Sequence, residues 1–93
     1  MTGLVMHPGH HELHGITVVV ETAGPVTYVA RFDTEDERGV HLLNVSTHDA
    51  GASGPSLDTF LSRTRKFGVK ATQKYLLLPR EQVRSIRPLS ETH

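Results

Sequence analysis

Gly15-Ile16-Thr17-Val18-Val19-Val20-Glu21-Thr22, then Ala23-Gly24-Pro25, then Val26-Thr27-Tyr28-Val29-Ala30-Arg31-Phe32-Asp33: this stretch decides the fold. Successive side chains of a strand point to opposite faces, so Ile16, Val18 and Val20 share one face, as do Tyr28, Ala30 and Phe32. The β-branched and aromatic residues suit a pleated surface. Between the two strands Gly24 and Pro25 supply the turn, since glycine tolerates positive φ and proline has no N–H to give a ladder. Further on, the acidic stretch Thr34 to Gly39 reads as a tight loop. Val40 to Thr47 reads as a third strand, with Leu42 and Asn44 on one face and His41, Leu43 and Val45 on the other.

The pattern then breaks for an insert, residues 49–74. Asp49 to Pro55 is small and polar, a loop composition. Ser56 is placed to cap a helix in which Leu57, Phe60, Leu61 and Thr64 recur at helical spacing. Asp58 in its first turn, Arg63, Arg65 and Lys66 towards its end, and Gly68 beyond all favour a helix here. Such a helix would plug one mouth of a barrel, the alternative being a ligand-binding lid. Tyr75 to Leu89 follows as strand, turn at Pro79 to Gln82, and strand, with Val83, Ile86 and Leu89 packing inward if the last strand bends. Pro79 belongs at the corner, because inside a strand it would delete a ladder bond.

Ninety-three residues make one domain. A chain of this size buries only about 60–65% of its unfolded surface, so self-association is a natural supplement to its stability. The absence of cysteine excludes disulfides, thiolate metal sites and cysteine nucleophiles. The first residues lack the basic start and apolar run of a signal peptide, and no window approaches a membrane span, so a cytoplasmic protein without membrane association is expected. The formal charge is zero but unevenly spread. Residues 1–49 carry seven acids against Arg31 and Arg38, whereas residues 50–93 carry eight bases against Asp58, Glu81 and Glu91. An acidic half and a basic half suit contacts between identical subunits, or a nucleic-acid face.

Two segments of the chain together resemble the Sm/LSm family, whose two sequence motifs are separated by a variable segment. Ala30, Phe32 and Asp36 fall at the spacing of the first motif's glycine, hydrophobic residue and aspartate. With one extra residue, Val40 and His41 reach its Met-Asn pair. Leu76-Leu77-Leu78 matches the apolar run of the second motif, and Glu81, Gln82 and Val83 match its acidic, amide and apolar positions. Its Arg-Gly pair is replaced by Pro79-Arg80. The resemblance covers about two-thirds of the chain and implies a mainly β fold: a small five-stranded Sm-like (SH3-like) bent barrel over residues 15–89, with a short helical insert between strands three and four. Residues 1–14 form a histidine-containing tail or cap, and residues 90–93 a C-terminal tail. SH3-like or PRC-type small barrels share these features.

The resemblance also implies a homo-oligomeric ring of about six or seven copies, each adding its fourth strand to a neighbour's fifth. In the family the ring binds single-stranded RNA. Here His41, Arg80 and Arg84 would be the residues near the pore able to contact it. Because His41 and Pro79-Arg80 stand where the family keeps its RNA-reading groups, the first expectation is a non-catalytic oligomeric module for interaction and assembly. Single-stranded RNA binding is the alternative.

A second alternative is metal binding through the N-terminal histidines. His10 and His14 would align if one helical turn formed, although Pro8-Gly9 opposes a helix before His10. Catalysis is not expected. Ser46, His48 and Asp49 merely follow one another in sequence, and Gly51-Ala52-Ser53-Gly54 lacks the lysine and the preceding buried strand of a phosphate loop. No cofactor is implied.

Overall fold

The computed structural model describes residues 13–52 and 54–91. It is mainly β: strands β1 (Thr17–Thr22), β2 (Val26–Asp36) and β3 (Gly39–Asp49), helix α1 (Leu57–Phe67), then β4 (Gln73–Leu78) and β5 (Val83–Pro88). Single 3₁₀ turns occupy Arg80–Gln82 and Leu89–Glu91. All pairings are antiparallel and the sheet order is β4-β3-β2-β1-β5. Among the described residues no helix is long and apolar enough to cross a membrane.

The sheet is open, with β4 and β5 as its two edges, yet those edges are consecutive in the chain. Four strand spacings in a flat sheet would hold them about 19 Å apart. Pro79 and one 3₁₀ turn span only about 13 Å between Leu78 and Val83. The sheet is therefore bent, so that the end of β4 and the start of β5 approach one another without pairing.

Irregularities in the β2–β3 ladder accompany that bend. Val29 pairs with Ser46 and Arg31 with Leu43, so Asn44 and Val45 together oppose Ala30. Asn44 takes φ 53°, a left-handed conformation that asparagine tolerates better than most residues. A bulge of this kind inserts a residue, increases the twist and resets the alternation. Accordingly Leu42 and Val45 share the inner core, where strict alternation placed them on opposite faces. A second shift at Asp33 separates Phe32↔Leu42 from Thr34↔His41. The acidic segment is also shorter as a loop than its composition implies. Thr34 to Asp36 continue β2, and only Glu37 and Arg38 form the turn.

The bent sheet buries apolar residues on both faces. On the inner face Val18, Val20, Ala30, Phe32, Val40, Leu42, Val45 and Leu78 form one core, with Val83 and Ile86 packed against it. On the outer face Val19, Val29, Leu61 and Leu89 form a second, which Leu57, Phe60 and Val69 extend. β1 is thus buried on both faces at its centre, whereas Ile16, which alternation places on the face of Val18 and Val20, is 41% exposed. Leu89, expected in the inner core, belongs to the outer one because the closing 3₁₀ turn wraps it beneath α1.

α1 forms for the reasons its sequence declares. The Ser56 hydroxyl accepts the Thr59 N–H at 3.2 Å, and Gly68, at φ 91°, closes the helix by donating its N–H to Thr64 O at 2.9 Å. Its apolar face packs over Val19 and Val29 on the outside of the sheet, which is not the position of a plug in a barrel mouth. At the other end of β3, Gly39 has φ 137°, and a Cβ there would lie 2.3 Å from Leu78 O. Only glycine lets the β2–β3 turn approach the end of β4 so closely.

Candidate functional site

The β2–β3 turn gathers the acidic residues against the end of β4. Asp36 and Gly39 close the turn, and Asp36 Oδ1 accepts the Arg38 backbone N–H at 2.9 Å. On the outer face the ladder brings Thr34 opposite His41, so Asp36, two residues on, points to the same side as His41. Leu77 of β4 pairs with His41, and Tyr75 stands diagonally across from it on that face.

These placements bring together five polar side chains. His41 Nδ1 lies 2.7 Å from the Tyr75 hydroxyl, and His41 Nε2 lies 2.9 Å from Asp36 Oδ2. The second distance suits a charge-assisted hydrogen bond, but the ring N–H points off the line to the carboxylate, so the contact is an ion pair when the imidazole is charged. Arg80, at the start of the 3₁₀ turn, donates Nε–H to Glu35 Oε2 at 2.8 Å and an Nη2–H to the Asp36 backbone carbonyl at 2.5 Å. Tyr75 is 48% exposed, whereas His41 is 7% exposed.

The electrostatics follow from this packing. His41 beside Asp36, helped by the Arg38 N–H and guanidinium, outweighs partial desolvation and holds the Asp36 carboxyl at about 2, against an ordinary 3.8. The imidazole has a partner in either charge state. Neutral, with its proton on Nε2, it accepts the Tyr75 O–H at Nδ1; charged, it donates Nδ1–H to the phenol oxygen. The Asp36–His41–Tyr75 chain and the Glu35–Arg80 pair therefore fasten the β2–β3 turn to β4 and to the link between the two edge strands.

The residues expected to contact RNA are only partly brought together. His41 and Arg80 meet around Asp36, His41 almost wholly buried and Arg80 engaged with Glu35. Arg84 stands apart, exposed on β5. Its strand neighbour Arg87 pairs with Glu21 at 2.8 Å. His14 turns its Nδ1 to the Asp33 carbonyl, tying the start of the described chain to β2. His10 lies outside the described residues. Among the described residues no three His, Asp or Glu side chains converge as metal ligands. Tyr75, Glu35 and Asp36 are the members of the cluster that sequence reasoning did not assign to a site. Asp36 entered only as a motif position, and the sole signal for Tyr75 is an aromatic residue heading the apolar run Leu76 to Leu78.

Comparison of the sequence with protein-family models and with curated proteins gives no match in either.

Proposed function

We propose that the chain is a non-catalytic, self-assembling scaffold of the Sm-like kind, a small bent barrel whose β4 edge adds to the β5 edge of the next copy to close a ring of about six or seven. The observation that carries this reading is the pair of unfilled edges. Among the described residues β4 pairs only with β3 and β5 only with β1. An unpaired edge presents a row of N–H and C=O groups that natural proteins cover or pair. A single turn holds the two edges in fixed relation within one protomer, and the Glu35–Arg80 and Asp36–His41–Tyr75 contacts brace that turn. Fixed relative placement of two complementary edges is the geometric requirement for head-to-tail addition to close.

Analytical ultracentrifugation tests the reading: the expected species has six or seven times the chain mass and is independent of salt. A chain that remains monomeric at high micromolar concentration rejects it.

Single-stranded RNA binding is the second reading, favoured by the exposure of Arg84 and by the absence of any acid between Asp58 and Glu81. It requires saturable binding of a uridine-rich oligonucleotide that weakens with salt and with Arg80→Ala. No binding at low salt removes it.

A further inference from the structure

Between α1 and the outer side of β3 lies a cleft of about 220 Å³ that the Asp36–His41–Tyr75 cluster does not touch. Pro55, Phe60 and Phe67 supply its apolar surface, and Arg63 and Lys70 stand at its rim. The walls are firmly held. His48 donates Nε2–H to Pro55 O at 2.8 Å and packs its ring 5.2 Å from that of Phe60. Phe67, the last residue of the helix, is nevertheless 72% exposed.

Single exposed apolar side chains are ordinary on protein surfaces. This one is not isolated, because it borders a concave apolar site and its ring lies 5.4 Å from Lys66 Nζ. The surrounding charge is also one-sided. From Thr59 to Arg80 the chain carries Arg63, Arg65, Lys66, Lys70, Lys74 and Arg80 and no acid. Arg63 and Lys70 have no ion-pair partner among the described residues. An apolar pocket ringed by unpaired cations is complementary to an apolar group flanked by carboxylates.

We propose that this cleft binds a short acidic peptide segment of a partner protein, seating one Leu or Phe side chain against Phe60 and Phe67 while flanking carboxylates pair with Arg63, Lys66 and Lys70. The volume suits a single anchor, since a cavity of about 150 Å³ already holds benzene. A nucleobase fits the chemistry less well. Its polar edges would need partners, but the polar lining is limited to Ser46, Thr64 and the rim cations, and the Thr64 hydroxyl already donates to Phe60 O at 2.8 Å. A second copy's acidic turn is not the occupant either, because Asp33 to Glu37 contains no apolar residue and Glu35 and Asp36 are engaged within their own protomer. The proposal rests on the reading of the chain as an interaction module. Its test follows a bound peptide, not the mass of the assembly, so either can fail alone.

The probe is a dye-labelled, acetylated peptide, Asp-Glu-Leu-Phe-Asp-Glu, titrated with full-length protein by fluorescence anisotropy. Saturable binding that weakens with salt is expected. A peptide with Ser-Ser in place of Leu-Phe should bind about tenfold more weakly. Phe67→Ser and the double variant Arg63→Glu/Lys70→Glu should each weaken binding by about tenfold or more with unchanged thermal unfolding, since all three side chains are exposed. An oligouridine of about twelve nucleotides should not displace the peptide. The proposal is overturned by absence of saturable binding, by equal affinity for the Ser-Ser peptide, by wild-type affinity in both variants, or by displacement at lower concentrations of oligouridine than of unlabelled peptide. The last result would assign the cleft to nucleic acid.

Discussion

His41 and His48 lie seven residues apart on one strand, each 7% exposed, in opposite surroundings. At the His41 end both ring nitrogens face protein groups, and Glu35 and Asp36 are matched by Arg80 and the imidazole. At the His48 end one nitrogen bonds the Pro55 carbonyl and Nδ1, like His41 Nε2, makes no hydrogen bond, but here no carboxylate faces the ring, and the nearby cations Arg63 and Lys70 are exposed without acids. Polar groups that satisfy one another fix a local geometry. Cations without an acid beside them at the rim of a concave apolar site remain available to another molecule. One end of β3 thus reads as a brace and the other as a receptor surface.

The strongest test of the brace is Gly39→Ala. The added Cβ would collide with Leu78 O, and φ 137° is strained for alanine, so a loss of roughly 3 kcal/mol in urea unfolding is expected. A loss under about 1 kcal/mol would mean that the turn can withdraw from β4. At the opposite end Leu61→Ala removes a 4%-exposed side chain joining α1 to the outer core, with an expected cost of about 2–4 kcal/mol. Hydrogen exchange should quicken in α1 and leave the β2–β3 turn protected; equal loss at both ends would show one cooperative unit.

Much of this architecture is legible in the sequence, and the part that is not has identifiable causes. Period-two alternation marks β1 and β2, while Ser56, Gly68 and the spacing of Leu57, Phe60, Leu61 and Thr64 mark α1. Alternation alone cannot reveal a bulge, so Asn44 misleads the assignment of faces along β3. It also cannot say which face a helix will cover: Val19 and Val29, on the face opposite Val18, Val20 and Ala30, are buried only because α1 lies over them. The cluster is least legible of all. His41 and Tyr75 are separated by 34 residues and meet only through the register of β3 on β4.

Two smaller effects would sharpen the contrast. Tyr75→Phe deletes the hydroxyl on His41 Nδ1, costing about 1 kcal/mol and leaving that nitrogen as unpartnered as His48 Nδ1. No change in unfolding would mean that the bond is replaced by solvent. The smallest effect concerns acid. Because the folded pKa of Asp36 is depressed to about 2, its contribution is present above the unfolded value of 3.8 and is lost as pH falls through about 2. Asp36→Asn should therefore flatten the melting temperature against pH between about 4 and 2, modestly, because 31% of the side chain is exposed. An identical slope in the variant would assign the acid sensitivity to other carboxylates.

The order of the strands also governs how the molecule can be made. β1 is paired on one side by β2, its immediate successor in the chain, but on the other by β5, with Val18 opposite Pro88. During synthesis the first three strands can form a hairpin stack early, while the second flank of β1 stays uncovered until α1, β4 and then β5 have emerged. A nascent apolar strand with an open flank is the kind of surface on which chains aggregate and chaperones act. The six residues of β5 thus end a period of vulnerability that begins with the six residues of β1.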